Sequence, residues 1–195
     1  MNKFLLMLIL IISLQSWSKA DDIRDFQIDG MSIGDSALDY FSEKEISLNK
    51  NKYTMKNNKF FKITMYPEKS IYNSIGLALK SKDKKYILHG INGGLHIDNN
   101  KECIKKRDNI INELSEMFKD TEKVDAGKRD YAADPSGESK TYSVYYWIQG
   151  AFIEISCYDL TEKLAKEKNW IKNILNVGVV SKEFSDFLLN EEYPE

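Results

Sequence analysis

Few residues of this 195-residue chain have side chains suited to covalent or coordination chemistry. There are two cysteines, Cys103 and Cys157, and two histidines, His89 and His96. A serine, Ser36, follows a glycine turn in Gly34-Asp35-Ser36-Ala37. A reactive thiol needs a neighbouring base or cation and a reducing setting. Lys105 and Lys106 follow Cys103 closely, but no histidine does. In an exported chain, two cysteines most simply form one disulfide. A Cys103–Cys157 bridge closes a loop of about 55 residues, worth on the order of 4 kcal/mol by loop-closure entropy.

His89 and His96 fall in one strand-like run, where the two-residue period puts them on opposite faces unless a bulge at Gly93-Gly94 restores parity. His96 shares parity with Asp98, and Asn99, Asn100 and Glu102 follow. That spacing fits neither a closed metal site nor a calcium loop. Asp98 or Asn99 is better suited to cap the helix that begins next. No metal and no other cofactor is expected.

Aromatic residues crowd the second half: Tyr142, Tyr145, Tyr146, Trp147, Phe152, Tyr158 and Trp170. Alternation along a strand sets Tyr145 and Trp147 opposite Tyr146 and Ile148. Tyr145 and Trp147 are therefore a candidate binding face for a peptide, a glycan or an envelope protein. The competing reading is a second packed layer, or cover by the polar stretch 121–140.

The Gly34–Ser36 segment resembles the nucleophile block of GDSL-type esterases. That resemblance implies a serine hydrolase, but the family also needs a C-terminal Asp-x-x-His to activate the serine. No histidine follows residue 96. Helix capping accounts for Asp35 and Ser36 more simply.

These residues need elements to position them. The strongest periodic signal is 100–119, where Cys103, Ile104, Ile110, Ile111, Leu114, Met117 and Phe118 recur at helical spacing. Short helices are expected from the Asp35 or Ser36 cap through Phe41 and, from the capping box Ser42-x-x-Glu45, up to about residue 49. Strand signals cover 60–66, 75–80 and 86–97, then 142–148, 152–158 and 173–180. The stretch 121–140 reads as the longest loop, 161–169 as a short helix or hairpin loop, and Ser181 as the cap of a closing helix. The expected fold is α+β: an antiparallel sheet of about five to six strands packed against one long central helix, with short N-terminal helices and a C-terminal helix.

Residues 1–20 read as a secretory signal peptide: Lys3 near the start, an apolar core from Phe4 to Leu14, and Ser18-Lys19-Ala20 before the cut. The apolar run falls short of the ~20 residues that span a bilayer, so no membrane span is expected after cleavage. Residues 21–195 are expected to form a single α+β domain. Losing the two leader lysines takes the formal net charge from −2 to −4, which speaks against nucleic acid as a partner.

The segments IRDFQIDGMSIGDSALDYFS, Cys103, ISCYD at 155–159 and VVSKEFSDFL at 179–188 together carry a resemblance. The chain resembles the uncharacterised small secreted or periplasmic proteins of AT-rich Gram-negative bacteria. The resemblance implies export and implies no activity. The function expected is that of a non-catalytic binding or interaction module in the periplasm, stapled by one disulfide. A secreted hydrolase and an envelope structural or assembly factor are the alternatives.

Overall fold

A computed structural model describes residues 22–51, 55–168 and 171–193. The expected leader and Trp170 lie outside the described residues. The described strands are β1 (Phe60–Met65), β2 (Ser74–Lys80), β3 (Leu88–His96), β4 (Glu122–Asp130), β5 (Lys140–Ile148), β6 (Ala151–Asp159) and β7 (Asn173–Val180). They form one antiparallel sheet in the order β1-β2-β3-β7-β6-β5-β4. The helices are α1 (Glu43–Leu48), α2 (Asn100–Met117), α3 (Glu162–Lys168) and α4 (Lys182–Phe187), the last running into a π-helical turn, Leu188–Glu192.

This architecture corrects the expected fold of five to six strands against one long central helix. The sheet has seven strands and is itself the organising element. Helix α2 lies on one face, against β6 and β7. The additional strand is β4, which the sequence presents as loop. It lies at the sheet's edge, exposed along nearly its whole length, and its sequence EKVDAGKRD buries no side chain. Only the backbone ladder to β5 makes it a strand. Periodicity detects buried side chains and is silent about an edge held by main-chain bonds alone.

The face beneath α2 is the main core. Ile91, Val179, Ile153 and Tyr146 stand in one cross-strand row, and Gly93, Val177, Ile155 and Val144 in the next. From α2, Cys103, Ile111 and Leu114 are buried, while Met117, part of the expected apolar stripe, is 45% exposed. Each buried aliphatic side chain stabilises by roughly 1.5–3 kcal/mol. The Tyr146 hydroxyl donates to the Ile111 carbonyl at 2.9 Å, so the polar end of this buried ring is satisfied. Asn99 is the residue that caps α2, its side chain accepting from the Glu102 amide at 3.0 Å. Cys103 is bonded to Cys157 on β6, fastening helix to sheet.

The remaining turns follow their local chemistry. Gln149 and Gly150 both have positive φ, +52° and +85°, which gives the primed two-residue turn between β5 and β6. Ser42 and Glu45 form the reciprocal capping box of α1, and Ser181 caps α4. Gly93-Gly94 makes no bulge. The register shift lies between Ala78 and Leu79, whose partners are Gly90 and Leu88, leaving His89 as the extra residue. Gly93 instead makes room for Tyr72, whose ring carbon lies 2.3 Å from where a Cβ would stand.

Candidate functional site

The second face of the sheet is covered only at its margins. At one end, Phe184 and Phe187 of α4 pack on Met55, Phe60 and Ala78. Gly90 admits the Phe184 ring, which would come within 3.0 Å of a Cβ there. At the other, Tyr131 and Tyr158 join Leu160, Leu164 and Ala165 around α3. Between the two caps runs a groove comprising adjoining cavities of about 290 and 400 Å³, both lined by Lys62, Asn92, Tyr131, Tyr158 and Asn176.

The groove exists because alternate residues of the central strands are small or amide-bearing. Residues 75–77 read Ile-Gly-Leu, and residues 175–179 read Leu-Asn-Val-Gly-Val. The apolar parity points into the core and the other parity floors the groove. Asn92 and Asn176 lie side by side there, Asn92 Nδ2 donating to Asn176 Oδ1 at 3.1 Å. Glycine inside a strand costs about 0.5–1 kcal/mol relative to alanine, so Gly76 and Gly178 keep the floor low at a cost to the sheet.

Two ionisable side chains line the groove. Glu154 on β6 receives the Ser156 hydroxyl at 2.5 Å and the Tyr145 hydroxyl at 3.5 Å. Burial raises its carboxyl above the usual range, and hydrogen bonding from Ser156 and the charge of Lys62 oppose that rise. The Glu154 charge, followed by burial, drives the Tyr158 phenol well above its ordinary value. Burial, then Glu154, pushes Tyr145 up to about 12. Lys62 on β1 differs from Glu154. Its ammonium makes no hydrogen bond and no close ion pair with any described residue; it lies 5.7 Å from the centroid of the Phe184 ring. Burial lowers its pKa, an effect that Glu154 only partly offsets.

The residues singled out by sequence are dispersed. Tyr145 and Trp147 lie on this same second face, half-buried, flanking Phe152 with ring centroids at 5.7 and 5.1 Å. They adjoin the groove through Phe152 and Glu154. Ser36 is far from it in role: its hydroxyl donates to the Lys85 carbonyl at 2.7 Å and accepts from the Leu38 amide at 3.2 Å, capping a short helical turn. Asp35 accepts from the Ser32 amide and the Tyr40 hydroxyl. His89 Nδ1 lies 3.2 Å from the Ser181 hydroxyl and its ring packs edge-on against Phe60; burial lowers its pKa. His96 is exposed on the surface. Among the described residues, no cluster of three His, Cys, Asp or Glu side chains is placed to hold a metal ion.

Lys62, Glu154, Asn92, Asn176 and Tyr131 escaped sequence reasoning as site residues, and Tyr158 was read only as one of the crowded aromatics. A partial signal was present at the centres of the strands that carry Asn92 and Asn176, where Gly90, Asn92 and Gly94 share one parity of β3 and Asn176 and Gly178 one parity of β7. Lys62 and Glu154 look like ordinary solvent-facing positions until the sheet sets them across one floor.

No family model matches the chain, and no curated protein matches it either. Among solved structures, it is similar to a point mutant of the protein Mog1, at 13% identity over 75% of this chain and 86% of that one. The TM-score is 0.29, too low to carry an argument about fold or function.

Proposed function

We propose that this protein is an exported, non-catalytic binding module whose ligand lies in the groove of the second sheet face. The observation that carries this reading is Lys62: a half-buried ammonium lining an open cavity with no hydrogen bond and no close ion pair among the described residues, its burial only partly offset by the charge of Glu154. Buried charges are ordinarily paired, and a ligand acceptor would supply the missing partner. Tyr145, Trp147 and Phe152 extend the groove with aromatic surface of the kind that recognises peptides, glycans or envelope proteins. Export is supported by the leader pattern of residues 1–20 and by the Cys103–Cys157 bridge, which is stable in an oxidising compartment. The exported protein should begin at Asp21, as N-terminal sequencing would read.

The binding reading is tested with Gly178→Val. A Cβ at Gly178 meets nothing closer than 3.4 Å, so the first carbon of the new side chain makes only ordinary contact and its methyls take up space over the groove floor. Saturable binding of a member of a peptide and glycan library by the natural protein, lost in Gly178→Val at unchanged melting temperature, supports the reading. Equal binding by the variant, or no binding by the natural protein, overturns it.

A further inference from the structure

We propose that the groove takes a saccharide bearing a carboxylate, with a sugar ring against the Tyr131–Tyr158 wall and the carboxylate at Lys62. This deepens the binding reading above and rests on it.

The floor excludes one occupant on hydrogen-bonding grounds. Strands β2, β3, β7 and β6 are each paired on both sides, so their main-chain donors and acceptors are consumed within the sheet. An extended peptide laid across this face finds no ladder to join, which removes the main-chain bonding on which strand addition depends. What the floor does offer is side-chain amide. The Asn92–Asn176 bond uses one donor and one acceptor, leaving Asn92 Oδ1 and Asn176 Nδ2 available above the floor. Sugar hydroxyls both donate and accept, and a paired array of amide oxygen and amide nitrogen matches them.

The walls supply the complementary surface. Tyr131 and Tyr158 stand edge to face with centroids 5.7 Å apart and line both cavities. Their rings present apolar area with a polar tip, which suits the C–H face of a pyranose bordered by hydroxyls. Thr64 and Ser74 add hydroxyls at the rim of the same cavity.

Charge decides the ligand's valence. Lys62 brings one positive charge that makes no hydrogen bond and no close ion pair with a described residue, and the Glu154 carboxyl is already held by Ser156 and Tyr145. A single carboxylate on the ligand balances Lys62. A phosphate dianion would bring excess negative charge beside Glu154, which costs free energy where solvent screening is weak. A uronate or sialate is therefore favoured over a sugar phosphate.

The experiment is titration calorimetry of the mature protein with trigalacturonate, a hyaluronan tetrasaccharide and sialyllactose, alongside maltotriose, chitotriose and an acidic tripeptide. The expected result is saturable binding of at least one acidic saccharide. The neutral saccharides and the Lys62→Met variant should be weaker by about 10- to 100-fold, the loss of one charge-assisted hydrogen bond. Tyr131→Ala should also weaken binding, and melting temperatures show that both variants fold. Equal affinity for neutral saccharides, or for Lys62→Met, overturns the role given to the carboxylate. Binding of the tripeptide alone, lost in Gly178→Val, overturns the saccharide while the groove remains a binding site. No binding of any probe overturns the saccharide proposal, and the library screen with Gly178→Val then decides separately whether the groove binds anything.

Discussion

The Asn92 side-chain amide occupies the space that a side chain on Gly76 would need: its Oδ1 lies 2.3 Å from the position of a Cβ there. In Gly76→Ala the amide must swing away, breaking its bond to Asn176. The lost hydrogen bond costs about 0.5–1.5 kcal/mol, and replacing a strand glycine by alanine returns about 0.5–1 kcal/mol. Stability measured by urea denaturation should change by less than about 1 kcal/mol, whereas ligand binding in the groove should fall.

Gly93→Ala behaves differently, although both glycines are on neighbouring strands. The obstacle is the ring of Tyr72, with three carbons within 2.7 Å of the new Cβ. That ring packs against the core and cannot simply turn into solvent. Overpacking of this kind costs about 1–3 kcal/mol, to be seen as a lower denaturation midpoint with an unchanged slope.

The Cys103–Cys157 bridge joins residues separated by 54 positions and links α2 to β6. Opening it by reduction, or replacing both cysteines with alanine, should lower stability by about 4 kcal/mol from loop entropy alone. Paired urea melts with and without reductant measure this. A shift below about 1 kcal/mol would show that the helix holds its place by packing alone.

Asp134 organises the turn between β4 and β5. Its carboxylate accepts the Ser139 amide at 2.9 Å, and from Ser136 the amide at 3.0 Å and the hydroxyl at 2.7 Å. Hydrogen bonds from Ser139 first, then Ser136, hold its carboxyl well below the usual carboxylate range. A carboxyl whose pKa is depressed on folding stabilises fully above its unfolded value, about 3.9, and progressively less as pH falls below it. Asp134→Asn should therefore be less stable than the natural protein at pH 7, and the gap should close below about pH 4. A gap independent of pH would rule out the ionised carboxylate as its source.

Much of the fold was legible because its strands and α2 bury side chains periodically. Ile153, Ile155 and Cys157 share a parity that the sheet buries, and Cys103 lies on the helical stripe that meets them. Strand β4 was not legible, since an edge strand with no buried side chain leaves no periodic trace. The bulge fell at His89 rather than at the Gly93-Gly94 pair because glycine marks either a bend or a close approach, and here Tyr72 made it an approach. Tyr145 and Trp147 were placed on the correct parity, but parity cannot say which other strands share their face.

By itself, the sequence determined which residues turn inward along each strand, where the helices are capped, and which two sulfurs were available to pair. Those properties are local, dictated by side-chain period and by hydrogen bonds within a few residues. The groove belongs to the tertiary structure alone. Strand order carries Lys62 of β1 and Glu154 of β6 onto one face with three strands between them, and sets the asparagines of β3 and β7 side by side. No local rule encodes which strands become neighbours, because that choice follows from burying the opposite face as one core. Lys62 and its floor of amides are a consequence of that global packing.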